Sequence, residues 1–245
     1  MTFEIYLIRH AETEVNVIKD RIGGRSNWAE LAKNGIAQAK TLGDKFKNEG
    51  ITFDAVYSST AIRTQQTARY CLEAMDQSLH GVELEPSIVE LSQGDWEGKP
   101  RNNIYSRVDV REGLDNDCWN YVPGDNIKGE SQAAVGQRMK VWLEQIVEKH
   151  SKGGVAAFTH GLAIKYLLAD LFDLDRTTAY KMPIDNTSVT IIRYGDGKPT
   201  CTKRNNSSHL ERAGLSKVRG AFDDSKIDSE KIKSTMCHHC LKAVV

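Results

Sequence analysis

The chain has 245 residues, 40% of them hydrophobic, and its 33 Lys and Arg balance 33 Asp and Glu. That length supports one substantial core, and the lack of net basicity argues against a nucleic-acid or general polyanion binder, so any anion site must be local. No run approaches the roughly 20 apolar residues of a membrane helix, and Met1-Thr2-Phe3-Glu4 has neither a basic leader nor an apolar signal region, so a cytoplasmic chain without a membrane partner is expected.

The first element is Phe3 to Ile8, an apolar run of the kind buried on both faces of a sheet, and it closes at Arg9-His10. Ala29 to Asn48 reads as a helix, with Leu31, Ile36, Ala39, Leu42 and Phe46 at mostly helical steps. Asp54 to Tyr57 is a second strand, followed by a helix over Ala61 to Met75 whose first turn carries Arg63. Leu91 to Gly129 is long, irregular and glycine-rich, and segments of that length are functional or mobile. It is read as a lid or specificity insertion (about 91–129) in which Trp96, Tyr105, Trp119 and Tyr121 pack. Ser131 to Lys149 is a helix carrying Val135, Met139, Trp142, Leu143 and Ile146. Val155 to Thr159 is a strand closing at His160-Gly161 before the helical Leu162 to Leu168, and Ser188 to Arg193 is the last strand. Strand-helix alternation predicts an α/β fold, a three-layer α/β/α arrangement around a doubly wound, mostly parallel sheet, in one domain over 1–210. The polar segment 211–245 reads as a tail.

Ligands of open α/β sheets collect at the carboxyl ends of strands, where the following helix N-termini favour anions. His10 and His160 each occupy such a junction and Arg63 a third, so together they describe a phosphate site. A neutral imidazole can attack phosphorus near pH 7 and give a phosphoramidate that water opens, provided its second ring nitrogen has a partner to hold the tautomer. Arginines suit the three charged equatorial oxygens of a transferred phosphoryl group, so no metal or other cofactor is required.

The segment Leu7-Ile8-Arg9-His10-Ala11-Glu12-Thr13-Glu14-Val15-Asn16 resembles the opening motif of the histidine phosphatase superfamily, which includes the cofactor-dependent phosphoglycerate mutases. The likeness continues in order through Leu31, Gly35 and Gln38-Ala39, Ser58-Ser59 with Arg63 to Ala68, Thr159-His160-Gly161, Asn186 to Val189, and Ser208-His209-Leu210. It implies a phosphoglycerate mutase-like fold, with His10 as phosphohistidine nucleophile and Arg9, Arg63 and His160 completing the phosphate pocket. Glu90, preceding Gly94-Asp95-Trp96-Glu97-Gly98, matches the family's proton-donating carboxylate. Thr13, Asn16, Gly23 and Gly161 fall on the substrate-binding rim. Ala11 and Val15 depart mildly from the family pattern, and Ile22-Gly23-Gly24-Arg25 lacks a Gln found there in many members.

The interval from Glu90 to His160 is shorter than the family's mutases carry, and Arg101, Arg107 and Arg111 are scattered with no adjacent pair. The resemblance thus favours a metal-independent phosphomonoester hydrolase acting on a small phosphorylated metabolite, ahead of a phosphoglycerate mutase. A non-catalytic phosphate-binding module is the remaining alternative, disfavoured because the five central residues are all present. Cys237-His238-His239-Cys240 offers four metal-binding side chains, but consecutive residues wrap poorly around one ion, so an exposed reduced segment is expected. An odd number of dispersed cysteines, with Cys71, Cys118 and Cys201, likewise points to free thiols.

Overall fold

The computed structural model describes residues 3–17, 20–150, 152–195 and 197–216. In chain order the elements are β1 (Phe3–Arg9), α1 (Glu14–Val17), α2 (Lys33–Asn48), β2 (Ala55–Ser58), α3 (Ile62–Ala74), β3 (Val82–Leu84), α4 (Arg101–Tyr105), α5 (Val108–Asp117), α6 (Gln132–Lys149), β4 (Gly153–Thr159), α7 (Gly161–Leu171), α8 (Arg176–Lys181), β5 (Val189–Gly195), β6 (Lys198–Asn206) and α9 (Ser208–Arg212). They form one six-stranded sheet in the order β3-β2-β4-β1-β5-β6. The first four strands in that order run parallel, and β5 and β6 are antiparallel additions at one side.

Side chains of a strand alternate between faces, and β1 divides accordingly. Ile5 and Leu7 join Trp142, Leu143, Ile164 and Leu167 of α6 and α7 on one face. Tyr6 and Ile8 join Leu42, Phe46, Ala68 and Leu72 of α2 and α3 on the other. A strand apolar on both faces is therefore the middle layer of three, as its sequence implied.

Two strands are illegible in the sequence. β3 is three residues long, and β6, Lys-Pro-Thr-Cys-Thr-Lys-Arg-Asn-Asn, alternates half-buried and exposed positions at the sheet edge. An edge strand covered on one side needs no apolar run, and charge along it discourages pairing with other chains.

The 91–129 section has a small core of its own, built by Ile22, Trp96, Ile104 and Val110, with Tyr105, Leu114 and Tyr121 packed against it. Trp119 instead meets Tyr166 of α7 edge-on at 5.6 Å. At the far end of the described chain, Asn34 donates to Ser216 Oγ at 3.1 Å and Gln38 to its carbonyl at 2.8 Å. Cys71, Cys118 and Cys201 are free thiols, and Cys237 to Cys240 lies outside the described residues. Among the described residues no helix is long and apolar enough to cross a membrane.

Candidate active site

Register brings the junctions together. Arg9 pairs with Thr159 across β1 and β4, and Ser58 pairs with Phe158 across β2 and β4, so three parallel strands end level. The next residues continue the pattern: His10 N donates to Thr159 O at 2.9 Å and Ser59 N to Phe158 O at 2.9 Å. His10 and His160, distant in sequence, thereby face each other with ring centroids 5.3 Å apart.

The hydrogen bonds decide both tautomers. His10 Nδ1 lies 2.8 Å from the Ala11 carbonyl, which only accepts, so Nδ1 carries the proton and Nε2 keeps its lone pair. His160 Nδ1 lies 3.0 Å from Arg63 Nη2, which only donates, so its proton sits on Nε2 and is donated to Ser59 Oγ at 2.8 Å. Burial, reinforced by the charges of Arg63 and Arg9, holds His10 well below the usual histidine range. His160 is lowered well below it too, by burial and then by Arg63. Both rings are thus neutral at physiological pH.

The two arginines are buried and held by main-chain carbonyls. Arg9 Nη1 donates to Ile184 O at 2.7 Å. Arg63 Nη1 donates to Arg25 O at 2.7 Å and Ser26 O at 2.8 Å, while Nη2 holds His160. Desolvation lowers each guanidinium to about 10, with Glu90 as the largest opposing influence on both. Carbonyl ligands orient the Arg63 guanidinium without neutralising it, so its charge stays available to an anion.

Glu90 stands at the N-terminus of α7. Its carboxyl group accepts from Leu91 N at 2.9 Å and from Leu162 N and Ala163 N, both at 3.2 Å. The last two satisfy helix-terminal N–H groups of α7 that the N-cap residue, His160, leaves without a side-chain cap. From behind, the Glu90 carbonyl accepts from Arg138 Nη2 at 3.3 Å and Arg25 Nε at 3.4 Å, and both arginines pair with Glu130.

Of the rim residues, Thr13 and Asn16 close α1 reciprocally: Thr13 N donates to Asn16 Oδ1 at 3.1 Å, and Asn16 N to Thr13 Oγ1 at 3.2 Å. Gly23 borders open space, and its carbonyl accepts from Ser26 Oγ at 2.5 Å. Gly161 begins α7, where a methyl would meet the Arg9 side chain at an ordinary 3.4 Å.

Several contributors do not stand out in the sequence. Asn186 Nδ2 donates to His10 O at 3.0 Å, and Thr187, in the left-handed region at φ 51°, donates its N–H to Arg9 O at 3.1 Å. They extend the β1/β5 ladder around the backbone of His10. Glu97 accepts from Arg25 N at 3.0 Å and Ser26 N at 3.4 Å, fixing the loop whose carbonyls hold Arg63. Gly24, at φ +54°, lies so close to that carboxylate that any side chain would collide with it. These residues and Ser59 all lie in segments compared with the family pattern, but nothing in the sequence announces the contacts they make.

The sequence profile of the histidine phosphatase superfamily (branch 1) matches residues 5–207, which contain every one of these groups. The chain belongs to the histidine phosphatase superfamily. It is 31% identical over 192 residues to a probable phosphoglycerate mutase (GpmB) of Yersinia pestis, covering 78% of this chain and 85% of that one. A mutant phosphoserine phosphatase from Entamoeba histolytica in complex with phosphoserine superposes with a TM-score of 0.72 at 26% identity, over 85% of this chain and 99% of that one. A phosphoglycerate mutase from Bacillus anthracis gives 0.71 at 25% identity, over 87% and 97%. Superfamily members are phosphatases and mutases that use a catalytic histidine, and this chain is accordingly an enzyme of that kind.

Proposed function

We propose that the protein is a metal-independent phosphomonoester hydrolase working through a phosphohistidine on His10. The observation that carries this reading is the His10 Nδ1–H bond to the Ala11 carbonyl, which leaves an Nε2 lone pair beside two buried arginines and a second neutral histidine. In the first step Nε2 attacks phosphorus and the ester P–O bond breaks, the departing oxygen taking a proton from the Glu90 carboxyl. In the second, water attacks phosphorus as the P–N bond breaks, its proton returns to Glu90, and inorganic phosphate leaves. Arg9 and Arg63 stabilise the equatorial oxygens throughout, with His160 holding Arg63 in position.

Charge distribution favours hydrolysis over mutase chemistry. A mutase must hold a second anionic group while its phosphoenzyme waits, whereas Arg25 and Arg138, which donate to the Glu90 carbonyl, are already engaged by Glu130. The mutase names among the relatives keep the second reading alive. Incubation with a labelled phosphomonoester followed by alkaline quench tests both: His10→Ala should abolish the acid-labile phosphoenzyme, and steady phosphate release without phosphoryl return to acceptor marks the hydrolase. A phosphoenzyme retained in His10→Ala would refute the assignment.

A further inference from the structure

The loop joining α1 to α2 is fastened at both ends to the catalytic machinery. On one side Arg25 and Ser26 carbonyls hold Arg63, and Asn27 O accepts from Ile62 N at 2.9 Å. On the other, Leu31 bridges to Thr13, and Ala32 N donates to Glu12 O at 3.0 Å, two residues after His10. The intervening turn therefore arches from the arginine side of the pocket to the nucleophile side. Trp28 stands on that turn, 69% exposed, and Ile62, 38% exposed, stands at the bonded corner beside it.

Such exposure sets Trp28 apart from the other tryptophans. Trp96 and Trp142 are fully buried and Trp119 packs on Tyr166, leaving Trp28 as the tryptophan offered to solvent. Nor is the turn loose: Ala29 N donates to Ser26 O at 3.0 Å, and Leu31 N donates to the Gln66 side chain at 2.8 Å. A large indole held rigidly in water gains only when something apolar covers it, and a preorganised aromatic surface loses little entropy on binding.

We propose that Trp28, with Ile62, is a specificity-determining shelf that packs against an apolar or aromatic leaving group of the phosphomonoester. This rests on the hydrolase reading for its substrate, and on the pocket rim alone for its geometry. The phosphoryl group is gripped by the arginines, so the alcohol portion must extend outward past the rim. A carboxylate-bearing leaving group would have to compete with Glu130 for Arg25, whereas an apolar one meets an uncovered surface.

The test compares the full-length protein with Trp28→Ala and Trp28→Phe. Binding of 2-naphthylmethylphosphonate and methylphosphonate by calorimetry needs no turnover; kcat/KM is read on 2-naphthyl phosphate and glycerol phosphate. Wild type should prefer the naphthyl ligand, and Trp28→Ala should reduce that preference about fivefold to tenfold, Trp28→Phe restoring most of it. Methylphosphonate affinity and glycerol phosphate turnover should stay within about twofold. Equal losses on both ligands, or no wild-type preference, overturn the proposal. So does a dimer that Trp28→Ala dissociates, which would mean a second copy covers the indole. Should the binding preference appear without phosphate release, the hydrolase reading fails while the shelf stands.

Discussion

Replacing Arg63 with methionine should separate activity from stability. The substitution removes three hydrogen bonds, to Arg25 O, Ser26 O and His160 Nδ1, at 2.7, 2.8 and 3.0 Å. Arg25 and Ser26 lie in a half-exposed loop whose carbonyls can turn to water, so about 1 kcal/mol for each of those bonds is a fair cost, and buried His160 Nδ1 left without a donor adds about 1–3 kcal/mol, roughly 3–5 kcal/mol in all. Against this, the charge is expensive to bury: its depression to about 10, led by desolvation, corresponds to roughly 3 kcal/mol recovered when an apolar side chain takes its place. The terms leave a net loss of about 0–2 kcal/mol, and with roughly 2–4 °C of Tm per kcal/mol in a chain of this size, calorimetry should show a fall of no more than about 8 °C. Catalysis has no such offset. Removing a preorganised donor from the phosphoryl oxygens should lower kcat by about 10²–10³. Steady-state phosphate release and thermal unfolding on the same samples check both numbers. A Tm collapse above about 10 °C, or kcat within tenfold of wild type, would refute the reasoning.

Three further outcomes follow from the same geometry. Glu90→Gln should slow alkyl phosphates far more than activated aryl phosphates, because only poor leaving oxygens need the proton; equal loss on both would exclude the proton-donor role. Stability should fall as pH drops below about 6.5, because the unfolded chain takes up protons that buried His10, His160 and His209 (held at about 4) refuse, and the contribution is fully present only above that pH. Denaturant midpoints across pH 7 to 4.5 should show it, with a shallower slope in His209→Gln; an unchanged slope would remove His209 from the account. Incubation with EDTA followed by gel filtration should leave turnover unchanged, since arginines supply the charge, and activity restored only by added metal would contradict the mechanism.

Much of this site could be read before any coordinate was known, because its parts recur at one kind of place. A strand followed directly by a helix leaves a visible change of hydrophobic period, and His10, Arg63 and His160 each stand at such a change. β5 was legible as a strand but not its antiparallel direction, and the short β3 and polar edge strand β6 were not legible at all, since pairing direction and edge position depend on neighbours rather than on a strand's own residues.

What the sequence by itself determined was the inventory: a three-layer fold, two histidines, two arginines and a carboxyl group, all within the span that matches the superfamily. Only the tertiary structure decided how each is used. The His10 tautomer depends on a carbonyl, Ala11 O, which every residue possesses and no side-chain pattern announces. The aim of Arg63 depends on two more carbonyls, fixed by Glu97 across 72 and 71 positions. Backbone groups are identical along the chain, so which of them meets a given side chain is a property of the fold, and it is there that residues scattered along the sequence become one site.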